Sequence, residues 1–300
     1  MAFGDRPDGY LLRDIDPMHI IMPLVWPNRT DNEAFIFERV DCSAVNAYLE
    51  AKNAAAREAE GNPEDFFKYT MFHFVVAVMM KTMTLRPKLN RFCANKRMYQ
   101  HKELTGAFTV KKKFADDAEE GLAVFKAKPE DSIDTVRDFI RSQVYTIRGS
   151  KGDLSDAKGD PTMNAVDALT KIPFFLLRFI AWIVRGLDRH GRAPKALMEN
   201  ELFQNSVVFS NLGSIKMKAG YHHLENWGAT SLFVTIGEKK VRPFFNEDGT
   251  YEMHDSLDLG ITIDERIADG YYYSKTLRLV RKLFANPELM DAPFNQEVEY

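Results

Sequence analysis

The last third of the chain changes its hydrophobic period, and that change constrains the fold more than any other feature. From Leu257 to Ile263, the residues Leu257, Leu259, Ile261 and Ile263 alternate with Asp258, Gly260 and Thr262. Successive side chains of a strand point to opposite faces, so the aliphatic residues share one face and require a second layer to cover it. Asn205–Ser210 and Thr230–Ile236 read as further strands, and Asn246–Gly249, NEDG, has the composition of a turn between two of them. Beyond Ile263 the sequence passes through DERIADG, Asp264 to Gly270, into a helical repeat. There Tyr273, Leu277, Val280 and Phe284 face inward, Lys275, Arg278, Arg281 and Lys282 face outward, and Asn286 with Pro287 ends the helix.

The covering layer lies upstream. Tyr69 to Leu85 is apolar nearly all round until Arg86 and Pro87 stop it, which predicts a buried central helix with the methionines between Met71 and Met83 as core. Asp131 or Ser132 opens a helix whose stripe is Ile133, Val136, Ile140, Val144 and Ile147. Phe35–Val40 reads as a strand, followed by a helix capped by Asp41 or Ser43 and carrying Val45, Tyr48 and Leu49 on one face; Phe108–Phe114 reads as another strand. Helices and strands mix without strict βαβ alternation, so the expected class is α/β (α+β), a two-layer sandwich of one mixed sheet covered by helices. A length of 300 residues admits one large or two ordinary domains. With no internal repeat and no separating linker, the expectation is a single domain over 1–300, in which 1–30 is an N-terminal extension and the polar run 148–162 is a loop.

Hydrophobic residues are 45% and charged residues 28% of the chain, which excludes disordered and collagenous classes. Lys and Arg number 40 against 43 Asp and Glu, and a net charge of -3 supplies no global field for a nucleic-acid backbone. Cys42 and Cys93 form neither a disulfide framework nor a zinc spacing, so no metal is expected. The charged N-terminus lacks the apolar run of a signal peptide, which points to a cytoplasmic protein. The most hydrophobic stretch, Ile172 to Leu187, has 16 residues with Arg178 and Arg185 inside it, fewer than the ~20 apolar residues of a spanning helix. Lys171, Arg178 and Arg185 stack on one helical face, with Arg189 and Arg192 near it. The simplest reading packs this helix on the domain with its arginine heads in water; peripheral contact with a membrane surface and a phosphate-bearing ligand are the alternatives.

No G-x-G-x-x-G, P-loop, G-x-S-x-G, H-E-x-x-H or EF-hand spacing occurs. What remains is FSNLGS at Phe209–Ser214, then Tyr221, His222 and His223, then DERIADG where a strand gives way to a helix and backbone N–H groups are left free. The order FSNLGS, a strand ending in IGEKKVRP, a hairpin FFNEDGTYE, a strand LDLGITI, DERIADG and a helix closing in NPELM resembles the catalytic domain of the acyltransferase component of 2-oxoacid dehydrogenase complexes. Chloramphenicol acetyltransferase is the structural cousin of that domain. The similarity runs from about Phe35 to the C-terminus and is specific from Val207 onward. No lipoyl or peripheral-subunit-binding segment precedes it, so a stand-alone catalytic-domain homologue is expected.

The resemblance implies a chloramphenicol acetyltransferase-like two-layer sandwich, a homotrimer, and acyl transfer to or from coenzyme A, with coenzyme A or acyl-coenzyme A as substrate and an acceptor that the sequence does not name. The family signature is D-H-R-V-x-D-G, with the histidine as general base. Asp264, Arg266, Ile267, Asp269 and Gly270 agree with it, and the histidine position holds Glu265. Ser210 matches the family's oxyanion-stabilising hydroxyl, and its neighbours Asn211 and Gly213 are the candidate coenzyme A contacts. Asp269 is implied to pair with an N-terminal arginine, Arg29 first and Arg13 second.

A general base works best with a pKa near the operating pH, which imidazole supplies at ~6.5 and an ordinary glutamate, at ~4.3, does not. Glu265 would need burial to raise it, while Arg266 beside it would lower it. His222 and His223 follow Ser210 closely enough to supply a relocated base. Each residue also has a structural reading: Ser210 as a satisfied hydroxyl, the histidines as packing or surface groups, Asp269 as a cap at a strand-to-helix turn. Two hypotheses follow. One is a coenzyme A-dependent acyltransferase; the other is a non-catalytic homologue that keeps the fold to bind an acyl ligand, a membrane surface or a partner protein.

Overall fold

The computed structural model describes residues 4–60, 66–111, 120–148, 172–193 and 201–300. In chain order the elements are β1 Gly9–Leu11, α1 Pro17–Val25, β2 Glu33–Asp41, α2 Ser43–Glu60, α3 Met71–Leu85, β3 Arg91–Ala94, β4 Arg97–His101, β5 Leu104–Lys111, β6 Glu120–Ala127, α4 Ile133–Arg148, α5 Phe174–Arg189, β7 Val207–Asn211, β8 Leu232–Ile236, β9 Lys240–Phe245, β10 Tyr251–Asp264 and α6 Gly270–Ala285. The main sheet has the order β2-β10-β8-β7-β5-β6, with β9 paired to the first half of β10; β1, β4 and β3 form a small second sheet. β7 runs parallel to β5 and to β8, and the other pairs are antiparallel, so the sheet is mixed as expected.

The alternation in β10 fixes which face is covered. Leu257, Leu259, Ile261 and Ile263 join the core beneath α2, α3, α4 and α6. α3 is the centre of that layer, with Phe74 to Val78, Met80 and Met83 at 1% exposure or less. Its cation Lys81 is also buried and is satisfied by donating to the Pro293 carbonyl at 2.6 Å. On β2, Glu38 lies on the covered face, where a forked pair from Arg281 of α6 neutralises it (2.7 and 2.8 Å). The amphipathic pattern of α4 is realised, with Ile133, Val136 and Ile140 buried.

Three expectations change in detail. β5 starts at Leu104 rather than Phe108, because Leu104 to Ala107 already pair with β6 and Gly106 with Val207, and small residues there carry no periodic signal; positions 112–114 lie outside the described residues. The N-terminal segment is built into the fold, since β1 completes the small sheet and His19 of α1 donates to the Arg266 carbonyl at 2.8 Å. The third change concerns α5. Its apolar face is not packed on the domain: Phe174, Phe175, Phe179 and Trp182 are exposed. Lys171 and, apart from Arg148 in α4, the polar run 148–162 lie outside the described residues.

Candidate functional site

Alternation places Val207 and Phe209 of β7 in the core and turns Val208 and Ser210 to the other face of the sheet. The same rule puts Phe233 and Thr235 of β8 there, and Asp258, Gly260, Thr262 and Asp264 of β10. Ser210 is in register with Thr235, and Thr235 with Gly260. Ser210 is half-buried near the end of its strand.

The segment 216–224 crosses this face directly over those residues. Thr235 donates its hydroxyl to the Gly220 carbonyl, sharing the hydrogen with the Gly260 carbonyl at 3.1 Å. A Cβ on Gly260 would collide with the Gly220 carbonyl, so glycine is what lets the segment lie flat on the sheet. His222 then stacks on Phe233, with ring centroids 4.2 Å apart and planes 8° from parallel, and His223 stacks on His222 at 4.5 Å. His222 Nδ1 donates to the His223 carbonyl at 2.7 Å. That bond assigns the neutral ring to the Nδ1–H tautomer and leaves Nε2 with its lone pair, the state a base requires. His222 is half-buried and His223 exposed. Ser210 and His222 therefore share one face, one two-residue step apart along the strands. Gly213, in the turn after β7, lacks a Cβ for a packing reason, because one would run into the Gly237 carbonyl; Asn211 is half-buried and its carbonyl accepts from the Ser214 hydroxyl at 2.7 Å.

The DERIADG turn lies elsewhere. Asp264 is fully buried and takes a forked pair from Arg266, Nε to Oδ1 at 2.8 Å and Nη2 to Oδ2 at 2.6 Å. Arg29 adds a second cation, its Nε 3.4 Å from Asp264 Oδ2. The guanidinium of Arg29 also donates to the Cys93 carbonyl at 3.1 Å, the Gly228 carbonyl at 3.0 Å and the Glu225 carbonyl. Arg266 reaches back to the carbonyls of Trp26 and Pro27 at 3.0 and 3.1 Å. Burial pulls the Arg29 pKa down, with Asp264 opposing; at Arg266 burial pulls the same way, but the bonds and charge of Asp264 prevail and raise it.

The expected pair of Arg29 with Asp269 is thus corrected to Arg29 with Asp264. Asp269 is exposed and caps α6, accepting from the Tyr272 N–H at 2.8 Å, a bond that holds its carboxyl below the usual range. It has a backbone partner already, whereas Asp264 sits at the strand end where Arg29 enters. Glu265 is exposed in the short turn between them. It is also far from Ser210 within one chain. Asp264 bonds through its N–H to the Ser231 carbonyl before β8 begins, whereas Ser210 pairs with Thr235. Four residues of strand separate those levels, roughly 13 Å.

Two clefts open away from these residues. One, of about 360 Å³, lies between the end of α5 and the β3–β4 turn; the other, of about 550 Å³, lies beside β4 and β5. Neither is lined by Ser210, His222 or Glu265. The described residues contain no cluster of His, Cys, Asp or Glu that would hold a metal ion.

Neither protein-family models nor curated protein sequences match the chain. Solved structures do, over nearly all of it. A probable dihydrolipoamide acetyltransferase from Listeria monocytogenes aligns at TM-score 0.57 and 15% identity, covering 96% of this chain and 97% of that one. The Azotobacter vinelandii dihydrolipoamide acetyltransferase, in a structure addressing the roles of a serine, a histidine and an asparagine in its catalytic mechanism, aligns at TM-score 0.52 and 15% identity over 93% and 94%. A chloramphenicol acetyltransferase aligns at TM-score 0.51 and 12% identity over 92% and 99%. With its mixed sheet and the helical layer over one face, the chain has the fold of the dihydrolipoamide and chloramphenicol acetyltransferases.

Proposed function

We propose that the protein is a coenzyme A-dependent acyltransferase in which His222 has taken the role of general base. The observation that carries this assignment is the crossing segment 216–224, which sets His222, with Nε2 free as an acceptor, on the same sheet face as Ser210. In the proposed reaction His222 Nε2 removes the proton of the acceptor as the acceptor attacks the thioester carbonyl of acyl-coenzyme A. The hydroxyl of Ser210 donates to the tetrahedral oxyanion, and collapse expels the coenzyme A thiolate, which recovers the proton. Asn211 at the end of β7 and Gly213 in the turn that follows are the proposed coenzyme A contacts. Removing a general base costs ~10²–10⁴ in rate and removing an oxyanion donor ~10²–10³.

The proposal includes a homotrimer. Glu265 approaches a Ser210 only if the two belong to different copies, and α1, bonded to this turn through His19, exposes Ile20, Ile21, Leu24 and Val25 beside it. The second reading, a non-catalytic homologue, is favoured by Glu265 itself, exposed at the position of the family's histidine. Turnover of acetyl- and longer acyl-coenzymes, followed as free thiol, separates the readings. His222→Gln should lower the rate ~100-fold or more while Glu265→Gln changes it less than ~3-fold. The converse pattern assigns the base to Glu265, and no turnover by the wild type, with acyl-coenzyme A bound, establishes the non-catalytic reading. A stable monomer in sedimentation at micromolar concentration would contradict the assembly.

A further inference from the structure

α5 has three sides with different fates. Leu177, Ile180, Val184 and Asp188, spaced i, i+3, i+7 and i+11, are half-buried or buried against the protein. Asp188 anchors the last turn by pairing with buried Arg6, Nη2 to Oδ1 at 3.0 Å. Arg178, Arg185 and Arg189, spaced i, i+7 and i+11, form an exposed stripe. Phe175, Leu176, Phe179, Trp182, Ile183 and Leu187 form the remaining face and all are exposed, Phe175 by 75% and Trp182 by 72%. A helix that rested on its own domain would hide that face; this one rests on a different side.

The charge beside the face says what it fits. Asp188 is the only acid of the helix and is already neutralised by Arg6, so the outward surface is purely cationic. The basic stripe continues into the 360 Å³ cleft below, where Lys96 joins Arg185 and Arg189 and where the buried indole N–H of Trp227 has no partner. These are donors for phosphate oxygens, next to an apolar face rich in Phe and Trp. At ~1.5 Å per residue the helix is about 24 Å long, short of a ~30 Å hydrocarbon core, so it would lie in the surface plane. No helix among the described residues is long and apolar enough to cross a membrane.

We infer that α5 docks the protein on an anionic phospholipid surface, with the Phe175–Phe179–Trp182 face among the acyl chains and the arginines and Lys96 on headgroup phosphates. The inference does not depend on the proposed acyltransferase activity.

The test uses the full chain with phosphatidylcholine vesicles, with and without phosphatidylglycerol. The wild type should float with the anionic vesicles only. Binding should fall at least tenfold between 0.1 M and 1 M salt, as the Debye length shortens from ~10 Å to ~3 Å. Tryptophan emission should shift to the blue on binding, and Trp182→Phe should remove the larger part of the shift, leaving only the share of Trp227 in the cleft, while Trp26→Phe keeps it. Replacing Arg178 and Arg185 by Gln should weaken binding about 25-fold, at about fivefold for each arginine, and Phe175→Ser with Phe179→Ser should abolish flotation. All these side chains are exposed, so the melting temperature should stay at the wild-type value; the wild-type arms stand even if a variant fails to fold. No flotation, equal binding to neutral vesicles, insensitivity to salt, or self-association through this face that vesicles do not compete with would each overturn the inference.

Discussion

Within the seven residues of DERIADG, neighbouring positions live in opposite environments. Asp264 and Arg266 are 0% and 1% exposed and are locked to Arg29, Trp26 and Pro27; Glu265 and Asp269 face solvent. The sealed members hold the shape of the turn, and the exposed members lie outside that network. Replacing the exposed residue leaves the clamp untouched. This is how glutamate can stand at the position that the resemblance gives to histidine while the fold stays that of the acetyltransferases.

The sealed half of the turn should be the more sensitive to substitution. Asp264→Asn leaves Arg29 and Arg266 buried without a counter-charge and should cost about 3–5 kcal/mol in urea unfolding. A loss below about 1 kcal/mol would mean that water or a rearranged carbonyl compensates both arginines.

The sealed side continues to His101, whose Nε2 donates to the Ala229 carbonyl at 3.1 Å, next to the Gly228 carbonyl that Arg29 holds. Burial is the main cause that brings its pKa down to about 4, with Arg29 and Arg6 pulling the same way and Asp8 opposing. The unfolded chain takes up this proton near pH 6.5 and the folded chain only near 4, so stability rises with pH across that window and is lost as pH falls through it. Between pH 7 and pH 5 this histidine should remove about 2 kcal/mol. His101→Gln should remove that share of the slope and leave the share of His73, which burial likewise brings down to about 4; an unchanged profile would show that His101 opens to solvent.

The exposed half should respond weakly. Asp269→Ala removes the cap of α6 and should cost about 1 kcal/mol, whereas Asp269→Asn, an equally good cap, should stay within about 0.5 kcal/mol. Glu265→Gln should leave stability within about 0.5 kcal/mol, as expected of a surface change. A large loss at either position would place it in the clamp and erase the distinction.

Much of this architecture was legible in the sequence, and the exceptions have physical causes. β10, α3, α4 and α6 announce themselves because their apolar residues follow a period that only a one-sided or wholly buried element produces. The presence of α5 was equally legible, but its surroundings were not: a period reports that a face is apolar, and only the neighbouring surface decides whether it is covered. The partner of Arg29 was within reach. Continuing the alternation of Asp258, Gly260 and Thr262 by one step puts Asp264 on the face opposite the core, and that count outranks the family analogy that pointed to Asp269. The state of His222 was not readable, since its tautomer is set by a backbone carbonyl and its position by a glycine two strands away from Ser210.

The most direct test of the acyltransferase account is thiol release from acyl-coenzyme A by the wild type and by Ser210→Ala, with acyl-coenzyme A binding measured on both. The wild type should turn over and Ser210→Ala should lose ~10²–10³ in rate, with binding unchanged within about threefold. Equal rates in the two proteins, with both folded and both binding, would contradict it.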